Sequence, residues 1–369
     1  VVVNVPYMAL SVDGYTTASI ADPLDRAVAL LVTMLATGKF YLIFSFLFGY
    51  SATFMVRPGP DPDAVGLRRY RRRLIGLAAV GLAHAVFFFI GDILLTYAIL
   101  GFVLMLLFGW RNRAVTDFAF ASYVLASFLL VLLFLAAVAE GDSDPIQSLP
   151  ALIRLDEAMA TGSFLEVAAA RAAALPVTLL SLATAQWGFA LAAFALGLVA
   201  GRGGYFDNLA THRQLWRRLA LWGLPIGLLT QAIAAWMAFA DGTGYGMSPL
   251  GFAGLALGFI TSPILSAGYV GGLALLCLRH PSALAPAESA GKSSLSVYIG
   301  ESVVLSAMFC GWGLGWFGQL GAAAVTGIAI GTWIALSVAA ALWLRLARRG
   351  PLESAMARWV NLSAQQPRS

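Results

Sequence analysis

His84 and Asp92 stand eight residues apart in the stretch GLAHAVFFFIGDILLTYAILG, which joins two apolar segments. A polar side chain in hydrocarbon costs kilocalories unless it faces protein or water, so ionisable residues in apolar segments are candidates for function. Imidazole suits proton transfer because its ordinary pKa lies near neutrality. It can take a proton from an acceptor hydroxyl or amine, or carry an acyl group covalently. An acidic neighbour such as Asp92 would fix its tautomer and stabilise the imidazolium. On one continuous helix the two lie roughly two turns apart on a similar face, too far for direct contact, so a water or another span must link them. The structural alternative is a buried histidine that bonds a neighbouring helix as packing glue.

A second intramembrane charge is Glu301, about nine residues into a segment that starts at Lys292 and so near the midplane. It reads either as a proton relay or substrate contact, with Tyr298 and Ser302 in its network, or as a neutral acid making one interhelical bond. Lys39 opens a segment from the outer side. Snorkelling to headgroups is its favoured reading and substrate binding the other. Gln186 and Trp187 either line a cavity or pack between helices. Cys277 and Cys310 fall in apolar segments and read as inert thiols. His84, His212 and His280 are far apart, so no metal spacing exists. The loop GWGLGWFGQLG lacks the Lys-Ser/Thr of a phosphate loop, and no G-x-S-x-G occurs.

The elements that must position these residues are apolar. Of 369 residues 60% are hydrophobic and 11% charged, with mean hydropathy +0.83. Soluble domains average about 25% charged residues, so that class is excluded. The net charge of +5 is no nucleic-acid signal, because Arg clusters in short loops between apolar runs. Nine segments approach the ~20 residues of a membrane helix: 39–56, 74–90, 93–109, 114–139, 179–200, 219–240, 250–278, 293–311 and 320–345. VVVNVPYMAL reads as the outer end of a tenth, truncated span, and 27–37 as a re-entrant or interfacial helix. The expected fold is all-α, a single polytopic transmembrane bundle over 1–369 with about ten spans. The stretch 140–178 is expected to be an extracytoplasmic amphipathic insertion, either a linker or a cap over an outward-facing cavity.

Charge sets the orientation. One set of loops holds Arg57, Arg68, Arg69, Arg71, Arg72 and Arg73, then Arg111 and Arg113, and later Arg202, Arg213, Arg217, Arg218, Arg279 and Lys292. The tail adds Arg345, Arg348, Arg349, Arg358 and Arg368. The opposite loops hold Asp13, Asp22, Asp25, Asp92, Glu140, Asp142, Asp144, Asp156, Glu157, Glu166 and Asp241, with only Arg26, Lys39, Arg154 and Arg171 as cations. The Arg-rich side is therefore cytoplasmic.

LIFSFLFGYSATF at 42–54, the block 71–101, FALGLVAGRGG at 194–204, AGKSSLSVYIGES at 290–302, GWGLGWFGQLG at 311–321 and RRGPLE at 348–353 occur in this order. Together they resemble the YeiB-like family of bacterial membrane proteins, a domain of unknown function. That family is distantly similar to the transmembrane acyltransferases, including acyltransferase family 3 and the heparan-glucosaminide acetyltransferases. The resemblance implies a multi-pass protein of the bacterial cytoplasmic membrane, embedded in lipids, with no nucleic-acid partner. It implies an acyl group moved from a cytoplasmic donor to a small-molecule or glycan acceptor at the outer face. Acyl-CoA would be a co-substrate rather than a bound cofactor. His84 would be general base or acyl carrier, Asp92 its orienter, and the arginines at 68–73 contacts for the donor's phosphates. Two departures stand out. The LD-x-LRG motif that precedes the family's first segment is absent, leaving Asn4 near that segment's outer end, and Glu301 stands where Gln is frequent. A transporter or permease for a small solute or lipid, and a non-catalytic subunit of a membrane complex, are the competing classes.

Overall fold

A computed structural model describes residues 1–56, 63–140, 149–242 and 248–361. Arg57, Asp142, Asp144 and Arg368 of the charge pattern lie outside these residues. Every regular element among them is helical: α1 (Pro6–Ala9), α2 (Pro23–Leu35), α3 (Lys39–Ala52), α4 (Ala64–Phe87), α5 (Ile93–Leu106), α6 (Asn112–Glu140), α7 (Pro150–Thr161), α8 (Phe164–Leu182), α9 (Gly188–Arg202), α10 (Arg213–Ala238), α11 (Pro249–Arg279), α12 (Ala285–Lys292), α13 (Ser294–Phe309), α14 (Ala322–Leu346) and α15 (Pro351–Asn361).

Six stretches among the described residues are long and apolar enough to cross a membrane: Pro23–Ala52, Asn112–Ala136, Phe164–Arg202, Arg213–Ala238, Pro249–Arg279 and Ala322–Leu346. The chain is a polytopic helical membrane protein. The segments expected at 93–109 and 293–311 are apolar helices of 14 and 16 residues, α5 and α13. The segment at 74–90 is the C-terminal part of α4, whose first turns carry the arginine cluster. The opening residues form turns and the four-residue α1 rather than a length of long helix. Residues 27–37 are not an isolated short helix. Residues 27–35 lie in α2, which shares a 30-residue apolar stretch with α3, and 36–37 form the turn that leads to the break, where Gly38 adopts φ +84°. A side chain at Gly38 would also strike Ser262 Oγ, so both conformation and space demand glycine there.

The stretch 140–178 divides. α7 is amphipathic and buries Leu152, Leu155 and Met159. α8 is the first part of a 39-residue helical stretch that runs through a π-helical turn, Ala183–Trp187, into α9. α7 is tied to the N-terminal loop by Asp156, whose carboxylate accepts from Ser11 Oγ and Val12 N, each at 2.8 Å. Burial pushes that carboxyl's pKa up, and the two hydrogen bonds offset part of the rise.

α3, α4, α5 and α9 share the largest buried cluster, around Phe48, Tyr97, Leu74 and Phe194. α3 and α9 approach so closely that a Cβ on Gly49 would lie 2.0 Å from Phe194 O, and one on Gly197 2.0 Å from Phe46 O. Such small-residue contacts let backbones pack in lipid, where no hydrophobic force draws helices together.

Charges that remain in this apolar protein close helix ends. Asp22, Asp63 and Asp92 side chains accept from the first turns of α2, α4 and α5, and Asp25 accepts from Ala323 N at the start of α14 (2.7 Å). Three of the four cations on the acidic side do the converse. Arg26 donates to Phe239 O just after α10 (2.6 Å), Lys39 to Thr33 O and Thr37 O at the end of α2 (2.8 and 2.6 Å), and Arg171 to Phe87 O at the end of α4 (2.7 Å). These carbonyls have no partner within their helices and attract positive charge.

Candidate functional site

The site is built where α4 stops. Phe88 N and Phe89 N both bond to His84 O at 2.9 Å, closing the helix. The chain reverses over Phe88–Gly91, and Asp92 enters α5 in extended conformation (φ −63°, ψ 131°) with Oδ1 accepting from Leu95 N at 2.6 Å. This reversal folds Asp92 back beside α4. His84 Nδ1 donates to Asp92 Oδ2 at 2.7 Å, and both side chains are 1% exposed. The expectation of a bridging water or third residue is corrected. Asp92 caps a new helix rather than extending the old one, so the eight-residue separation becomes direct contact.

Tyr298 completes the cluster from α13. Its hydroxyl donates to Asp92 Oδ2 (3.4 Å) and accepts from Ile93 N (3.3 Å), and its ring centroid lies 5.0 Å from that of His84. Phe89 meets the imidazole edge-on at 6.4 Å. His84 Nε2 is buried and has no hydrogen-bond partner among the described residues. Tyr298 was expected to serve Glu301, one turn along α13. It serves Asp92 instead, while Ser302 Oγ bonds the Tyr298 carbonyl.

Two residues that sequence reasoning did not assign to the site hold the α4–α5 turn. Arg171 reaches from α8 to Phe87 O and, at 3.4 Å, to both Ser306 Oγ and Cys310 Sγ. Ser306 Oγ donates to Phe88 O at 2.6 Å. The one signal for Arg171 was its place as a cation on the acidic side of the membrane.

In front of this cluster lies a cavity of about 1900 Å³. Asp92, Tyr298 and Phe89 line it, and His84 sits behind them. Glu301 also lines it and makes no side-chain hydrogen bond or ion pair with another side chain among the described residues. Asn4 also lines it, and the π-helical turn presents Gln186 and Trp187. π-turns within helices are frequent at functional sites. Arg69 and Arg73, of the arginine cluster at the start of α4, also line the cavity. The Arg73 guanidinium donates to Ser51 Oγ (3.1 Å) and lies 4.8 Å from the centre of the Phe48 ring.

Lys39 is corrected. It is 1% exposed, does not line the cavity and does not snorkel, because the carbonyls at the α2–α3 break take its ammonium. The closing GPLE motif also acquires a reason. Glu353 accepts from Leu295 N (2.7 Å), Ser296 N (3.1 Å) and Ser296 Oγ (2.5 Å), so it joins the KSSLS segment at the start of α13, the helix that carries Tyr298 and Glu301. Among the described residues no group of His, Cys, Asp and Glu is arranged to hold a metal ion.

Comparison with known proteins leaves the chemistry open. No solved structure matches this chain. It is 28% identical over 342 residues to the uncharacterized protein YxaH of Bacillus subtilis (strain 168), an alignment covering 89% of this chain and 81% of the relative. Residues 200–363, which include Tyr298, Glu301 and Glu353, match a family described as a protein of unknown function, DUF418.

Proposed function

We propose that this protein is an acyltransferase-like enzyme of the bacterial cytoplasmic membrane, in a topology where α4, α5 and α13 add three crossings to the six long apolar stretches. One observation carries the reading. Asp92 holds His84 Nδ1, and Nε2, buried in the same cluster, is left without a protein partner. A histidine kept only for packing would satisfy both nitrogens, since buried polar atoms nearly always find partners. A carboxylate on one nitrogen and a free second nitrogen are what a general base requires. The YeiB-like and transmembrane-acyltransferase resemblances support the same class.

The step is written with a thioester donor such as acyl-CoA, its phosphates against Arg69 and Arg73. Along α4, Arg73 lies about 16 Å from His84, a gap that an extended thioester arm would bridge. The acceptor hydroxyl or amine enters at Asp92 and Tyr298 and reaches Nε2 as Phe89 or Tyr298 swings aside. His84 takes its proton while the acceptor oxygen or nitrogen bonds to the acyl carbon. The C–S bond breaks, and the imidazolium returns the proton to the departing thiolate. Asp92 stabilises the imidazolium throughout. A covalent acyl-His84 fits less well, because His84 stands behind the residues that line the cavity.

Transport is the second reading, favoured by the broken α2–α3 helix and by a carboxyl, Glu301, facing the cavity. The test is thioester turnover by purified protein in vesicles, comparing wild type with His84→Gln. Thiol release lost in the variant while acyl-CoA binding persists supports acyl transfer. Absence of both turnover and acyl-CoA binding in wild type refutes it.

A further inference from the structure

One side of the cavity is walled by apolar side chains that are only half-buried. Phe40, Phe44 and Leu47 recur along one face of α3 and line the cavity, yet they are 47%, 54% and 46% exposed. Leu133 of α6 and Ile330 and Trp333 of α14 share this double character. All six stand in stretches apolar enough to cross a membrane, where the surrounding medium is acyl chain. The cavity's inner wall, by contrast, is formed by the buried Leu77, Tyr97, Ala190 and Val297.

The groove also has a direction. Ser51 meets Arg73; eleven residues before Ser51 on α3 stands Phe40, and eleven residues after Arg73 on the antiparallel α4 stands His84. The lining face of α3 therefore starts at the level of the His84–Asp92 cluster and descends to Ser51, about 16 Å at 1.5 Å per residue. One leaflet is about half of a ~30 Å hydrocarbon core. An outer-leaflet lipid fits this polarity, with its polar head at Asp92, Tyr298 and Glu301 and one chain lying down the α3 face. The volume suits such a guest, because drug-sized ligands occupy only roughly 300–1,000 Å³.

We propose that a membrane lipid enters this cavity sideways between the bilayer-facing side chains of α3, and that its head supplies the hydroxyl or amine acceptor. The assignment as acceptor rests on the acyl-transfer reading; the binding of the lipid does not. A soluble acceptor would require no opening in the apolar wall.

The test uses the full chain in phosphatidylethanolamine–phosphatidylglycerol vesicles containing a phosphatidylglycerol with a diazirine in its acyl chain. After irradiation, adducts are mapped by mass spectrometry. The expected result is labelling of the buried wall at Leu77, Tyr97 or Val297 as well as of Phe44 and Leu47. Leu47→Trp, placed at a lipid-facing position that tolerates bulk, should cut wall labelling severalfold and leave outward labelling unchanged. Adducts confined to outward side chains would mean annular lipid only and overturn the proposal. Because labelling needs no turnover, wall adducts in a protein with no thioester activity would sustain the lipid site and refute acyl transfer. Turnover with a soluble acceptor and an unlabelled wall would do the reverse.

Discussion

Replacing Asp92 by Ala and by Asn separates what its carboxylate does. Oδ1 caps α5 through Leu95 N, and Oδ2 receives His84 Nδ1. Loss of an N-cap costs about 1 kcal/mol. A buried Nδ1–H left without an acceptor costs about 1–3 kcal/mol more. Asp92→Ala should therefore lose about 2–4 kcal/mol by this addition. Asn caps as well as Asp through its amide oxygen, and its NH2, standing where Oδ2 stood, can donate to Nδ1 of the other imidazole tautomer, so Asp92→Asn should keep more than half of that stability. The assay is thermal unfolding in one detergent at one scan rate, with both variants ranked against wild type. A much lower midpoint for Asp92→Ala and a small drop for Asp92→Asn are expected. Midpoints near wild type for both variants would refute the assignment of cap and acceptor. An Asn variant as damaged as the Ala variant would show instead that an imidazolium needs the full charge, because breaking a buried ion pair costs about 3–5 kcal/mol.

Three further outcomes follow from the packing and the charges. Lys39→Met leaves Thr33 O and Thr37 O without their donor and should lower the unfolding midpoint in the same assay, whereas a lysine snorkelling to headgroups would give no change. Gly49→Ala forces α3 away from α9 and should abolish monodisperse protein in size-exclusion chromatography, while Gly327→Ala, whose Cβ meets nothing within 4 Å, should purify like wild type. Asp156 has a raised folded-state pKa, so the folded state holds its proton more tightly than the unfolded one. Its contribution to stability is present below the ordinary 3.8 and is lost as pH rises through its folded-state value. Asp156→Asn should flatten that part of a stability–pH curve, and an unchanged slope would show that Asp156 titrates normally.

Composition and hydrophobic runs alone determined that this is a helical membrane protein, and each of the nine full segments read as a span is largely helical in the structure, whereas the opening residues are not a length of long helix. The reason is that lipid offers no partner to backbone amides, so an apolar run of that length has one stable form. His84, Asp92 and Glu301 were legible for the same reason, since polar groups stand out against hydrocarbon. What the sequence could not decide was how the ends of helices are used. Whether eight residues of HAVFFFIGD extend a helix or reverse it depends on Asp92 finding Leu95 N, on Ser306 meeting Phe88 O and on Arg171 meeting Phe87 O. The last two partners lie more than 80 residues away along the chain. The same holds for Lys39 at the α2–α3 break and for Glu353 at the start of α13. Hydropathy reports what a segment avoids, which is local. A terminal carbonyl or amide is satisfied by whichever side chain the packed bundle brings to it, and only the tertiary structure decides that.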